Sequence, residues 1–220
     1  MLYWSEVRKI RQSGERVMLE DTGERVIPKK MDPMNNMLLE HIARYMFSTP
    51  YVKGRVLDIA CGTGYGSLKI AKETKEKIDE IIGVDICEET PQYAVHNYYH
   101  PLLTFKQGDA MDASLPQEIG TFDTILSFET IEHVKDDRLF VKRIYDLLNP
   151  GGTLILSTPF GEGRDYASGQ PFHYFQLTQD EFKGLFEGFF EKEIYYQRGV
   201  TIEPPREGVY YPLGVAVCKK

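Results

Sequence analysis

Long apolar runs, paired cysteines, surplus basic charge and extended repeats are all missing from this chain. No uninterrupted apolar stretch approaches the roughly 18 residues that cross a bilayer. The opening "MLYWSEVRKIRQ" places charges where a signal peptide needs its apolar segment, so a cytoplasmic protein without a membrane span is expected. Three cysteines in 220 residues, at 61, 87 and 218, lie far apart with no C-x-x-C. That excludes a disulfide framework and a cysteine-based zinc site, and predicts reduced thiols. The formal net charge of −7 repels a polyanion on average, which disfavours a nucleic acid as partner. "GERV" at 14 to 17 recurs once at 23 to 26, too short and too rare for a solenoid.

What is present is globular: 42% apolar and 27% charged residues, enough for one domain over 1–220 with a sizeable core. Residues 1–50 are read as an N-terminal lid and helix segment. In it, "DPMNNMLLEHIARYMF" predicts a helix with Asp32 as N-cap, Pro33 at the first position, and Met34, Met37, Leu38, Ile42, Tyr45 and Met46 on its inner stripe. After Pro50, short apolar runs alternate with helical stretches: "RVLDIA", "GSLKIAKETK", "EIIGVDI", "PQYAVHNYY", "LTFKQGD", "FDTILSF", a helix from about Asp136 to Leu148, and "GTLILSTP" after the turn "NPGG". This predicts α/β architecture, a doubly wound Rossmann-like sheet with helices on both faces. "TQDEFKGLFEGFF" predicts a helix capped by Thr178. "EKEIYYQ" and "LGVAVCKK" predict two strands paired antiparallel, giving seven strands, mostly parallel, with the last reversed. Residues 159–177 follow the fifth strand without a clear period, where an insertion borders a ligand crevice.

The stretch "VLDIACGTGYGS" runs from an apolar strand to an acid and then to three glycines. A dinucleotide fingerprint G-x-G-x-x-G needs its third glycine at 67, and Ser67 stands there, which weakens an NAD-dependent oxidoreductase. Asp58 before the loop adds negative charge where a pyrophosphate gains nothing and a cation gains. Asp85 ends the second strand, where a carboxylate can accept from both ribose hydroxyls. Asp109 ends the third, within reach of an exocyclic amine. Cation, ribose and aminopurine together describe an adenosyl amino acid.

On these residues the sequence resembles the class I S-adenosylmethionine-dependent methyltransferases. "VLDIACGTGYGS" looks like their first motif, "GVDI" their ribose acid, "GDAMD" their adenine loop, "FDTILSFETIEHV" their fourth strand and "LNPGGTLILSTP" their strand after the helix. The resemblance covers roughly residues 30 to 190. It implies S-adenosyl-L-methionine as cofactor, with Asp58 and the loop Ala60, Cys61, Gly62 to Gly64 at the methionine portion. It further implies Asp85 with Ile86 at the ribose, Asp109 and Ala110 at the adenine, and Phe128 closing over the cofactor.

Methyl transfer to a hydroxyl needs a proton acceptor beside the aligned nucleophile. "FETIEHV" supplies Glu129, Glu132 and His133, and "PFHYF" supplies His173; His133 or His173 is the candidate base. The E-H pair also resembles one that in the family often only orients the loop. A metal-binding variant of the same four residues resembles small-RNA 3′-end methyltransferases; the leading reading takes no metal. Phe160, Tyr166, Phe172, Tyr174, Phe175, Tyr210 and Tyr211 are candidates for an acceptor pocket, with Arg164 and Arg206 for an anionic group on the acceptor. "GERVIPKK" and the segment after it look like bacterial enzymes of glycan and nucleotide-sugar modification. The expected function is therefore O- or N-methylation of a small molecule, a sugar or nucleotide-sugar among them. RNA methylation and non-catalytic cofactor binding are the alternatives, and the sequence leaves a homodimer open.

Overall fold

The computed structural model of the chain describes Leu19 and residues 22–220. The first "GERV" copy and the opening of the expected lid lie outside the described residues.

Helix α1 spans Asn36–Ser48, and its cap is Asn35, whose side chain accepts from the Leu38 N–H at 3.2 Å. Asp32 was expected there. It instead accepts from the Met34 N–H at 2.8 Å, closing a turn before the helix, as an Asx side chain does when its own loop offers the nearer donor. The inner face shifts accordingly: Leu38, Arg44, Tyr45 and Ser48 are buried, whereas Met34 and Met46 are exposed.

The chain then alternates β1 (Gly54–Ile59), α2 (Tyr65–Glu73), β2 (Ile78–Asp85), α3 (Glu89–Asn97), β3 (Leu103–Gln107), α4 (Leu115–Ile119), β4 (Phe122–Phe128), α5 (Asp137–Leu147) and β5 (Leu148–Pro159). It ends with α6 (Gln179–Gly184), β6 (Glu191–Arg198), β7 (Thr201–Glu203) and β8 (Leu213–Lys219). One sheet holds all the strands in the order β3-β2-β1-β4-β5-β8-β6-β7. Strands β1 to β5 run parallel, and β8 lies antiparallel to both β5 and β6. Eight strands replace the expected seven. The addition, β7, pairs antiparallel with the end of β6; three residues are too few to leave a period-2 signal in what reads as a connection.

Successive strand residues point to opposite faces, and helices cover both, so the strands are apolar throughout. Val56 packs in one cluster with Tyr45 of α1, Ile70 of α2 and Ala94 of α3. Its neighbour Leu57 packs in the other with Leu115 of α4, Phe140 of α5 and Phe182 of α6. The strand order reverses between β1 and β4, which opens a crevice beyond their carboxyl ends. Thr178 caps α6 in a reciprocal box with Glu181. The helix stops at Gly184, short of the expected end. Bridges from Phe160 to Leu177 and from Gly163 to Gln176 close the base of the 159–177 excursion. Among the described residues no helix is long and apolar enough to cross a membrane.

Candidate active site

A cavity of about 600 Å³ lies at the strand-order reversal, bounded by the loops after β1, β2, β3 and β4, by α1, and by parts of residues 22–26 and the excursion. The glycine loop forms one wall, and its three glycines serve three purposes. Gly62 has φ +53, and a Cβ built on it would meet nothing within 4 Å; it lines the cavity and keeps that space open. Gly64, at φ +83, backs onto the Phe105 ring 2.6 Å from where its Cβ would be. Gly66 accommodates the ring of Tyr45, which a Cβ would overlap. Only the first of these lines the cavity.

Asp85 lies at the end of β2 and on the cavity wall. Its Oδ2 accepts from the Gly62 N–H at 2.9 Å and its Oδ1 from the Cys87 N–H at 3.0 Å. Burial raises its pKa, and those two donors with Arg25 oppose the rise. Each oxygen keeps a further lone pair for a hydroxyl. Asp109 is exposed at the rim, where Oδ1 accepts from the Met111 N–H at 2.8 Å. Ala60, Cys61, Ile86, Ala110 and Phe128 also line the cavity.

Asp58 does not reach the cavity wall. It shares the face of Val56, where it is 1% exposed, and accepts from Ser67 Oγ at 2.5 Å and from the Tyr45 hydroxyl at 3.2 Å. Burial lifts its pKa to about 7 against the effect of those two donors.

The opposite wall carries the residues expected from "FETIEHV" and "PFHYF". Glu129, at φ +48, pairs with Arg44 Nη2 and lies 3.2 Å from His41 Nε2. Burial would raise its pKa, but Arg44 and His41 outweigh it and bring the carboxyl to about 2. Glu132 is fully buried behind this wall; Oε2 accepts from Thr158 Oγ1 at 3.0 Å, and Oε1 has no partner among the described residues. Burial and the Glu129 charge push its pKa to about 8. His133 and His173 meet edge to face with ring centroids 4.7 Å apart, and both line the cavity. Burial and the neighbouring His133 lower the pKa of His173.

Of the aromatic candidates, only Phe172 lines the cavity. Phe160 packs on Phe182 and Tyr196, Tyr211 packs on Tyr196, and Phe175 is buried in the core. Tyr166, Tyr174 and Tyr210 are exposed. Arg164 is engaged by Asp137 and Glu181, and Arg206 by Glu203. Sequence reading missed Glu24, Arg25, Met37, His41 and Arg44. Met37, His41 and Tyr45 do share a signal: an i, i+4, i+8 ridge on α1 that faces the cavity.

Residues 56–152 match the family model described as a methyltransferase domain. A protein of Mycolicibacterium smegmatis named a probable S-adenosylmethionine-dependent methyltransferase is 33% identical over 171 residues, covering 76% of this chain and 63% of that protein. The chain carries a class I S-adenosylmethionine-dependent methyltransferase domain. A ubiquinone biosynthesis O-methyltransferase of Azorhizobium caulinodans is 31% identical over 137 residues, covering 60% of this chain and 51% of that protein. The chain spans about half to six-tenths of the length of these curated relatives. A methyltransferase structure from Archaeoglobus fulgidus shares the fold, with a TM-score of 0.62, 19% identity, and coverage of 84% of this chain and 95% of that one.

S-adenosylmethionine, the cofactor of the family, fits the residues present. The volume is within the range of small-ligand cavities, Gly62 leaves its wall clear of side chain, and Asp85 offers two oxygens beside it.

Proposed function

We propose that the protein methylates an oxygen atom of a small-molecule acceptor, using S-adenosylmethionine. When bound, the cofactor supplies a methyl group on a sulfonium, open to in-line displacement. Asp85 accepts the ribose hydroxyls, with Ile86 beside it. Asp109 and Ala110 flank the adenine, Phe128 covers the cofactor, and the Ala60 to Gly64 loop holds the methionine portion. Asp58 acts through that loop, by accepting from Ser67 and Tyr45 and so fixing both behind it.

The acceptor enters from the opposite wall. The observation that carries this reading is the pair of imidazoles, His133 and His173, on the same cavity as Asp85. A hydroxyl sheds a proton as it is methylated, and a neutral imidazole can receive it. Glu129 stays ionised and holds Arg44 and His41 in place, while Glu132 anchors the turn that carries His133. The ubiquinone relatives by name and the glycan-enzyme likeness of the N-terminal motifs both point to hydroxylated acceptors.

Calorimetric titration with S-adenosylmethionine and S-adenosylhomocysteine, NAD serving as control, tests the cofactor half on wild type and Asp85→Ala. Loss of two hydrogen bonds to a charged carboxylate predicts roughly 100-fold weaker binding. Binding indifferent to Asp85 would sink this half. Mass-spectrometric detection of methylated product from sugar and phenolic panels tests the other half. Cofactor binding without transfer would favour a non-catalytic binding protein.

A further inference from the structure

We propose that Glu24, His133 and His173 bind a divalent transition-metal cation at the acceptor wall. The three residues come from separate segments: the stretch before α1, the turn after β4, and the excursion after β5. Each offers one ligand atom, these atoms all lie within 4.8 Å of one another, and all three residues line the cavity.

The surroundings of the imidazoles suit ligation. His133 Nδ1 lies 3.1 Å from the Phe172 carbonyl oxygen. A carbonyl only accepts, so Nδ1 carries the proton and Nε2 keeps its lone pair. A ligating histidine is commonly oriented by this kind of bond to a backbone carbonyl. His173 Nδ1 accepts from the Gln176 side-chain amide nitrogen at 3.4 Å, which leaves the ring proton on Nε2, 3.5 Å from Glu24 Oε1. His133 is thus held through the nitrogen that would not bind metal, whereas ligation through His173 Nε2 moves its proton to Nδ1, with the Gln176 amide turned so that its oxygen accepts it.

Two imidazoles and one carboxylate suit a borderline cation such as zinc or cobalt better than magnesium or calcium. Around such an ion, with bonds near 2.1 Å, tetrahedral donors sit about 3.4 Å apart. The three atoms must therefore close by about an ångström, which the 35% exposed side chain of Glu24 permits. Three protein ligands leave at least one position open toward the cavity. The four-residue set weighed from the sequence loses two members, because Glu129 is taken by Arg44 and His41 and Glu132 is buried against Thr158. Glu24 replaces them. With the cation bound the two imidazoles are ligands and not bases, and the cation would take over their part by lowering the pKa of an acceptor hydroxyl at its open position; that role rests on the proposed function, whereas binding does not.

The test titrates the tag-free 220-residue chain with Co²⁺, followed by visible absorption, and with Zn²⁺ by calorimetry, against Mg²⁺ as control. One cation per chain is expected, with affinity at least tenfold weaker in His173→Gln and in Glu24→Gln and with no intense thiolate charge-transfer band. Thermal melts of both variants establish that they are folded. No stoichiometric binding, binding unchanged in both folded variants, or binding lost in Cys87→Ser but kept in His173→Gln would each overturn the proposal. S-adenosylhomocysteine titration of the same metal-free protein scores the cofactor reading separately.

Discussion

Ser67 donates its hydroxyl to Oδ2 of Asp58 at 2.5 Å, beneath the glycine loop. The residue that breaks the dinucleotide fingerprint is therefore the partner of a buried acid. With Tyr45 it gives that carboxyl two hydroxyl donors. Ser67→Ala removes one of them without adding volume. Losing a donor to a buried acid costs about 1 to 3 kcal/mol, and urea denaturation should show a stability loss of that order. A wild-type midpoint would mean the bond contributes nothing.

Two buried acids set the pH response. Asp58 and Glu132 have folded-state values of about 7 and about 8 against ordinary values of 3.8 and 4.5. The native state thus binds more protons than the unfolded one between roughly pH 4 and 8, so their contribution to stability falls as pH rises through that window. Glu129, lowered to about 2 from 4.5, acts oppositely: its contribution is present above about 4.5 and is lost as pH falls toward 2. In thermal melts, Glu132→Gln should lose less Tm than wild type between pH 5.5 and 8. Each kcal/mol recovered is worth about 2 to 4 °C in a chain of this size. Parallel Tm curves for the two proteins would contradict the assignment.

How far the sequence was legible follows from where each signal resides. The strands β1 to β5 are near-continuous apolar runs separated by helical periods, and Asp85 and Asp109 follow such runs directly, so local pattern located them. Asp58 was legible as an acid but not as a buried one. Its orientation follows from strand parity with Val56, and its partners Tyr45 and Ser67 come from two helices. Glu24 reaches the cavity, and Arg44 reaches Glu129 on its wall, from segments remote in sequence, and no local period connects them to His133 or Glu129. Asn35 took the cap from Asp32 because both are good cap residues and only the turn between them decides. The aromatic residues of the excursion mostly pack or face solvent, since a ring serves a core and a pocket equally well in sequence.

The glycines can be separated by substitution. Gly66→Ala places a methyl into the Tyr45 ring, and overpacking of this kind costs about 1 to 3 kcal/mol. Gly62→Ala meets no neighbour but must hold φ +53, a strain of about 1 to 2 kcal/mol, and it projects a methyl into the cavity. Gly66→Ala should therefore lower Tm while folded protein retains S-adenosylhomocysteine affinity within a few fold. Gly62→Ala should weaken that affinity tenfold or more, beyond what its stability loss explains. Calorimetry beside thermal melts reads both, and equal affinity losses in the two variants would refute the division of roles.

Arg44 links α1 to the turn after β4 and to β6 near the edge of the sheet. It is 1% exposed; Nη2 meets Glu129, and Nη1 donates to Gln197 Oε1 at 2.8 Å. Gln197 in turn donates to the Glu40 carbonyl at 3.1 Å and to the Gly199 carbonyl at 2.7 Å. Arg44→Met would leave the Glu129 carboxylate, whose side chain is 31% exposed, with His41 as its remaining side-chain partner, and breaking a fully buried pair by deleting one partner costs about 3 to 5 kcal/mol, an upper bound here. Most of that cost is the stranded charge, so Glu129→Gln in the Arg44→Met background should restore more than half of it. A double-mutant cycle in urea measures the coupling. If the two single losses simply add, Arg44 stabilises the helix through Gln197 and packing, and the ionised state of Glu129 does not depend on it.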